Sequence, residues 1–292
     1  MKLPWWALIV AKLILSRIPL GYRLFASLGM FKHGRMHDPA YALDVFTRHF
    51  DRCAIKTNDQ PFVGLEFGVG DSVASAVIAQ AHGASSCYLI DAGRFSVEDV
   101  ETYQNVAAHL ERAGMVAPDL SKAKTLADVL TSSNGTYLTD GLNSLRLIDD
   151  DCIDFAWSNA VLEHVRLAEF RQVLSEFRRV MKPDGVMSHR VDLKDHLGGA
   201  LNNHRLPGAL WERDWFANSG FYTNRIAFVD MLDLFAQAGF DTEVLQVDRW
   251  PQLPTSQKSM SAEFQDLTED ELMVSGFDVL LRPAPQQKTR LT

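Results

Sequence analysis

The 292-residue chain lacks the features that mark several large protein classes. Its three cysteines, Cys53, Cys87 and Cys152, lie far apart and form no C-x-x-C pair. Neither a zinc site nor a disulfide framework is therefore predicted, and a reducing compartment is the simplest interpretation. A basic excess is also missing, since the net charge is -8. Duplex nucleic acid is therefore not the expected substrate, because phosphate binding needs a basic face.

A long apolar run is missing as well. The apolar residues 3–16 are interrupted by Lys12 and followed by Arg17, so no stretch reaches the roughly twenty apolar residues that a membrane span requires. A helix lying in a membrane interface has this pattern, and so does a helix packed on the protein's own core or in a dimer contact. The basic residues Arg17, Arg23, Lys32 and Arg35 favour a peripheral membrane contact through residues 1–25. We therefore expect a cytoplasmic protein that binds the inner face of the membrane.

The most informative motif is a glycine-bearing turn between a strand and a helix. An apolar strand ends in Glu66 and is followed by Gly68 and Gly70, which let the backbone approach a ligand closely. The dinucleotide fingerprint needs a third glycine, but Val73 occupies that position. Asp71 places a second anion where a pyrophosphate would lie, and two anions there repel each other. The pattern therefore favours a phosphate-free cationic cofactor over a nicotinamide dinucleotide.

Two further segments complete the pattern. A second strand, residues 85–91, ends in Asp91, from which a carboxylate can accept hydrogen bonds from ribose hydroxyls. Residues 151–165 form an aspartate-led strand followed by Leu-Glu-His-Val, and residues 177–185 end in Lys-Pro-Asp-Gly. Together with Glu-Phe-Gly-Val-Gly-Asp, these motifs resemble the class I S-adenosylmethionine-dependent methyltransferases over roughly residues 60–250.

This resemblance implies a cofactor, S-adenosyl-L-methionine, whose sulfonium is cationic and which carries no phosphate. The chain departs from the family at Ser72, where a third glycine is common, and at Asp184, which replaces the first glycine of the later turn; both residues are compatible with a turn. The implied cofactor residues are Glu66, Gly68 and Gly70 at the methionine end, Asp91 at the ribose, Asp140, Gly141 and Leu142 at the adenine, and Asn159 near the sulfonium.

Alternating strand and helix patterns predict an α/β fold with a doubly wound, mostly parallel seven-stranded sheet, similar to the Rossmann fold. We expect an N-terminal helical extension (1–58) and a methyltransferase domain (59–292), with a helix that begins at Asp38. The predicted strands are 62–66, 86–90, 135–139, 152–157 and 185–191, with an antiparallel edge pair at 243–247 and 277–281. The predicted helices are 72–81, 97–113, 121–131, 166–181 and 228–238.

Residues 192–227 do not fit the alternation. They leave the carboxyl end of the fifth strand, and ligands bind beyond the carboxyl ends of strands in open α/β sheets. The segment is rich in aromatic residues, including Trp211, Phe216 and Tyr222. We therefore predict a substrate-side insert, with a packed lid of no polar role as the alternative.

A hydroxyl acceptor must lose a proton during methyl transfer, and histidine suits that task. His189, Asp192 and His196 are the predicted catalytic residues. With Asp195 they give the spacing H-x-x-D-x-x-D-H, which could also hold a divalent cation, although no metal is predicted. His164 lies in the Leu-Glu-His-Val motif, and we expect a structural or cofactor-side role for it.

The sequence thus predicts a methyltransferase that uses S-adenosyl-L-methionine and most readily O-methylates a small or glycan-linked acceptor. A carboxyl or N-methyltransferase is one alternative. A catalytically silent methyltransferase-like module that binds a membrane partner is a second. A nicotinamide-dependent enzyme is a third, and Asp71 and Val73 oppose it.

Overall fold

A computed structural model describes residues 4–15, 35–55 and 60–285 of the chain. Two helices come first, α1 (Trp5–Leu15) and α2 (Pro39–Cys53). The Asp38 carboxylate caps α2 by accepting hydrogen bonds from the N–H groups of the second and third helical residues. Pro39 takes the first helical position, where no N–H is needed. This confirms the capped helix that the sequence predicts.

Strands and helices alternate through the centre of the molecule. In chain order they are β1 (Phe62–Phe67), α3 (Ala74–Ala81), β2 (Ala84–Ile90), α4 (Val100–Arg112), α5 (Leu126–Ser132), β3 (Gly135–Leu138), α6 (Gly141–Leu145), β4 (Ile153–Asn159), α7 (Leu167–Val180) and β5 (Met181–Asp192). These five strands pair in parallel in the order β3-β2-β1-β4-β5. The carboxyl ends of all five strands therefore meet at one edge of the sheet.

The rest of the chain completes the sheet and adds short helices. The elements are α8 (Gly208–Trp211), α9 (Asp214–Ala217), α10 (Phe228–Gln237), β6 (Phe240–Arg249), α11 (Glu269–Leu272) and β7 (Val274–Pro283). β7 lies between β5 and β6 and is antiparallel to both. The predicted antiparallel edge pair and the seven-stranded, mostly parallel fold class are both confirmed.

β5 begins earlier than the sequence predicts. Met181 already pairs with Ile153 of β4, and regular pairing resumes where Val186 meets Phe155. Between these pairs lies the Lys-Pro-Asp-Gly turn, in which Pro183 has no N–H to give to the ladder. The result is a bulge within one long strand, where the motif had suggested a turn before a short one.

Hydrophobic cores cover both faces of the sheet. On one face α2 packs over β4, with the Phe46 ring edge-on to Trp157 at a centroid distance of 5.1 Å. On the other face Phe177 of α7 and Phe235 of α10 are fully buried. Helices on both faces are the doubly wound arrangement, and α2 belongs to the same core as the sheet.

α1 packs on the insert. Its buried residues Ile9 and Leu13 join a small core with Trp211, Phe216 and Tyr222 of the insert. One face of α1 therefore packs on the protein's own core, which is one of the two interpretations of this helix given above. Over the described ranges, the helices are too short or too polar to cross a bilayer.

The insert is held together by its own aromatic residues. The Trp211 indole N–H donates to the backbone carbonyl of Thr223 at 2.7 Å. The Tyr222 ring stacks on the indole, and the Phe216 and Phe221 rings pack against it at a tilt. Residues 251–271 also pack inward, through Met260 and Phe264. These buried aromatic side chains form a core, as the packed-lid alternative expects.

Candidate active site

The loops after β1, β2 and β3 meet at the carboxyl edge of the sheet, joined by backbone hydrogen bonds. The Gly68 N–H donates to the Ile90 carbonyl at 2.7 Å, and the Gly70 N–H donates to Asp91 Oδ2 at 2.8 Å. The Gly141 N–H donates to the Asp91 carbonyl at 2.9 Å. The structure thus brings together predicted cofactor residues from three separate motifs, with Asp91 at the centre.

Gly68 and Gly70 adopt backbone angles that other residues avoid, with φ of +86° and +69°. A Cβ atom on Gly68 would lie 2.2 Å from Cγ2 of Val161, which is far inside van der Waals contact. Val161 follows β4, so the bare glycine is what allows the β1 and β4 loops to pack closely.

Glu66, at the end of β1, is almost fully buried, with 2% of its surface exposed. The Trp157 indole N–H donates to Oε1 at 3.2 Å, while Oε2 has no partner of normal hydrogen-bond geometry among the described residues. The pKa of Glu66 is raised to about 8, mainly by burial, and nearby Asp91 acts in the same direction, whereas the Ser75 hydroxyl and the Trp157 indole act in the opposite direction. Without a ligand, Glu66 is therefore largely protonated at neutral pH.

The remaining predicted cofactor residues line the same edge. Asp91 also accepts the Ala92 N–H at 2.7 Å, and each carboxylate oxygen has lone pairs for further hydrogen bonds. Asp140 is exposed at the start of α6 and accepts from Asn143 at 3.2 Å. Two further predicted cofactor residues are half-buried: Leu142 packs against the core, and Asn159 lies at the end of β4.

Asp71 has a role that the sequence did not reveal. Its carboxylate accepts the Met36 N–H at 3.0 Å, and its other oxygen lies 2.7 Å from His37 Nδ1. These contacts tie the segment before α2 to the glycine loop. The contacting residues are more than thirty positions apart in the chain, so no local motif could have indicated them.

His189 does not lie with the other two predicted catalytic residues. It is fully buried in β5, its Nδ1 lies 2.8 Å from Ser158 Oγ, and its ring stacks on Phe177. Burial lowers its pKa to about 3. Strand residues three apart point to opposite faces, so Asp192 emerges on the other side of the sheet. This position in the core argues against a part for His189 in substrate chemistry.

Asp195 organises the loop that follows β5. Its carboxylate accepts backbone N–H groups of Leu197, Ala200 and Asn202, which is a structural function. Asp192 is half-buried and accepts the Lys194 N–H at 3.1 Å. Among the described residues, no three histidine, cysteine, aspartate or glutamate side chains are grouped to hold a metal ion.

His196 pairs with His164, which the sequence had assigned a structural or cofactor-side role. Their Nε2 atoms are 3.1 Å apart and the rings stack at a centroid distance of 4.8 Å. His164 Nδ1 lies 2.7 Å from the Tyr222 carbonyl oxygen, which can only accept, so Nδ1 carries the proton. In the neutral pair, His196 must then donate from its Nε2–H to Nε2 of His164. The basic lone pair of His196 is therefore on Nδ1. The pair lies beyond the carboxyl ends of β4 and β5, on the same edge as the glycine loop.

The sequence matches one protein family. A family model described as a methyltransferase domain matches residues 65–188, which run from β1 into β5 and include the glycine loop, Asp91 and His164. No curated protein matches the chain.

Three solved structures are also similar to the chain. Phosphoethanolamine N-methyltransferase 2 of Haemonchus contortus is 13% identical, with 83% of this chain and 53% of that chain covered and a TM-score of 0.47. An arsenic(III) S-adenosylmethionine methyltransferase of Chlamydomonas reinhardtii is 17% identical, with 79% of this chain and 66% of that chain covered and a TM-score of 0.42. An S-adenosylmethionine-dependent methyltransferase of Mesorhizobium loti is 16% identical, with 82% of this chain and 95% of that chain covered and a TM-score of 0.44. Values this low say nothing about the methyl acceptor.

Proposed function

We propose that this chain, in which residues 65–188 match a family model described as a methyltransferase domain, is a class I S-adenosylmethionine-dependent methyltransferase that methylates a hydroxyl oxygen of a small or glycan-linked acceptor. The observation that carries this proposal is the pair of histidines at the carboxyl edge of the sheet. A hydroxyl acceptor needs a base, whereas a carboxylate acceptor does not.

The residues at this edge fit the cofactor. The glycine loop presents bare backbone, and the buried Glu66 next to it has an oxygen with no partner of normal hydrogen-bond geometry among the described residues, which suits a cationic ligand. Asp91 keeps lone pairs that can accept from a ribose. We propose that the cofactor is held by Glu66, Gly68, Gly70, Asp91, Asp140, Gly141, Leu142 and Asn159.

When bound, the cofactor would supply a methyl group on a sulfonium, and its transfer to the acceptor oxygen would leave the electron pair of the broken carbon–sulfur bond on sulfur. The protein's part is to align the acceptor and take its proton. His196 is the proposed base, through Nδ1, and His164 fixes its tautomer. Asp192, half-buried at the end of β5, is a proposed acceptor contact.

Asp91→Ala is expected to weaken S-adenosylmethionine binding by at least about tenfold, because a carboxylate that accepts ribose hydroxyls is worth more than about 1.4 kcal/mol. Titration calorimetry measures this. Asp233→Ala, which removes an exposed carboxylate on α10, is the matched control and should bind normally. Unchanged affinity in Asp91→Ala would remove the ribose assignment.

Transfer of a labelled methyl group to a panel of acceptors tests the reaction itself. Sugar and lipid-linked hydroxyl compounds are compared with carboxylates and amines. We expect label in hydroxyl compounds, and we expect His196→Asn to slow this transfer by about 100-fold or more with cofactor affinity kept. His109→Asn, on α4, serves as the control.

Two results of that experiment would contradict the proposal. Label found in carboxylates or amines, with no loss in His196→Asn, would favour a carboxyl or N-methyltransferase. Cofactor binding without transfer to any acceptor would favour the catalytically silent module.

A peripheral membrane contact through α1 is a further part of the proposal. Trp6, Val10 and Ile14 are 57%, 51% and 57% exposed and, being four residues apart, form one apolar stripe beside the packed residues Ile9 and Leu13. Basic residues near this helix in the sequence, Lys2 and Arg17, would attract anionic lipid. We therefore propose that the protein works at the cytoplasmic face of a membrane.

Trp6→Glu combined with Ile14→Glu is expected to reduce binding to vesicles of phosphatidylcholine and phosphatidylserine by about tenfold or more, since two apolar side chains no longer enter the interface. Co-sedimentation measures this. Val116→Glu, at an exposed valine far along the chain, is the control. A full-length protein that never sediments with vesicles would contradict the membrane contact.

A further inference from the structure

Glu163 is a buried acid that no step above uses. It lies between β4 and α7, is 1% exposed, and neither carboxylate oxygen has a partner of normal hydrogen-bond geometry among the described residues. It lines a cavity of about 30 Å³, which has room for one or two water molecules. An unpartnered carboxyl group in such a position is costly, so its presence calls for a reason.

The nearest titratable side chains are the two histidines. Glu163 Oε1 lies 4.0 Å from Nε2 of His164, and that same Nε2 faces His196 Nε2 at 3.1 Å. The three side chains therefore form a row that runs from the buried acid to the exposed imidazole of His196. The main chain around them is fixed, because Asn224 donates to the carbonyls of Glu163, Leu162 and Val165.

We infer that Glu163 is the positioning residue that stabilises the protonated histidine pair during proton removal from the acceptor. This inference rests on the proposed function. When His196 Nδ1 takes the hydroxyl proton, the positive charge is shared through the Nε2 contact with His164. An ionised Glu163 carboxylate close to that contact lowers the free energy of the cation, as a charge near a titrating group does.

The surroundings decide when Glu163 is ionised. The pKa of Glu163 is raised to about 8, mainly by burial, and the Asp192 charge acts in the same direction. The backbone N–H groups of Glu163 and Asp192 and the Arg190 charge act in the opposite direction. The cavity that it lines is also bordered by the charged or titratable residues His204, Arg225 and Glu271. At neutral pH, Glu163 and the histidine pair therefore compete for one proton, and their titrations are coupled.

Proton NMR titration of the histidine ring signals in the full chain tests the coupling without any substrate. In Glu163→Gln, the midpoints of His164 and His196 should fall by about one pH unit or more relative to the wild type. Glu163→Asp should keep part of the difference. Glu169→Gln, which changes an exposed glutamate in the first turn of α7, is the matched control and should not change the midpoints.

The pH profile of methyl transfer is the second measurement. In the wild type, turnover should rise with an apparent pKa near the value of about 8 for Glu163, and in Glu163→Gln this rise should move to lower pH with a plateau reduced by about tenfold or more. Equal histidine midpoints in the wild type and Glu163→Gln would overturn the inference whatever the acceptor. Shifted midpoints in a protein that methylates no hydroxyl would support the coupling and overturn the proposed function instead.

Discussion

Gly68→Ala is expected to reduce S-adenosylmethionine affinity by about 100-fold or more, equivalent to about 2.7 kcal/mol. Its φ of +86° is unfavourable for alanine, and the new Cβ would lie within 3.0 Å of three side-chain carbons of Val161. The β1 loop and the β4 loop cannot both keep their positions. Because Glu66 and Gly70 lie at the β1 loop and Asn159 lies at the β4 loop, we expect titration calorimetry to detect the loss of affinity directly.

Gly114→Ala separates the two causes. Gly114 has a similar φ of +82°, but a Cβ there would meet nothing within 4 Å. It should therefore show the backbone strain alone, about 1 kcal/mol of stability, with normal cofactor binding. The double change Gly68→Ala with Val161→Gly removes the collision and should restore part of the affinity. If Gly68→Ala binds the cofactor as Gly114→Ala does, the close packing of the two loops does not matter for binding.

The fold could be predicted from the sequence because its strongest signals are local. Apolar runs that end in glycine or aspartate, each followed by a helical pattern, fix the order of strands and helices. The antiparallel pair at the end of the sheet could be expected from the family resemblance. The start of β5 was missed because the Lys-Pro-Asp-Gly turn interrupts the pattern without ending the strand.

The meeting of the proposed cofactor residues at one edge could also be predicted, since parallel strands bring their carboxyl ends together whatever the details of the helices. His196 was among the predicted catalytic residues, but its contact with His164 was not predicted. His189 and Asp192 are three residues apart in one strand, so the pleat places their side chains on opposite faces of the sheet. This separation could have been predicted from the sequence. The contact between His164 and His196 joins residues 32 positions apart, so it depends on how the insert folds back.

Aromatic content alone could not show how the insert packs, for a similar reason. Trp211 and Tyr222 are as compatible with a ligand as with a core, and composition does not distinguish the two. The structure buries them against α1, whose partner on the insert is almost two hundred residues away in the chain. A surface helix and an aromatic insert were predicted separately, and their mutual packing explains both.

Acidification is expected to destabilise the protein steeply below about pH 4.5, because three histidines are buried in neutral form. The pKa values of His49, His189 and His204 are each lowered from 6.5 to about 3, mainly by burial. A group whose pKa falls on folding contributes stability that is present above the unfolded pKa and lost as the pH falls towards the folded one. At pH 5, each of these histidines should therefore have lowered the protein's free energy of unfolding by about 2 kcal/mol relative to its value above pH 6.5.

Two buried acids act in the opposite direction at milder pH. The pKa values of Glu66 and Glu163 are raised from 4.5 to about 8, so their contribution to stability is full below pH 4.5 and lost as the pH rises through 8. Between pH 4.5 and 6.5 the acids therefore offset much of the loss from the histidines. Below pH 4.5 the acids have no further effect, and the three histidines act together.

Urea unfolding at a series of pH values measures this balance. Below pH 4.5 the three histidines should contribute a slope of about 4 kcal/mol per pH unit, and His49→Asn should reduce the slope by about 1.4 kcal/mol per unit, even if the variant is less stable throughout. Ordinary carboxylates titrate in both proteins, so the difference isolates one histidine. His109→Asn, at a less buried position on α4, should leave the slope unchanged. An equal slope in His49→Asn would mean that His49 does not resist protonation, and that its buried contact with Ser188 at 2.7 Å survives in the charged form.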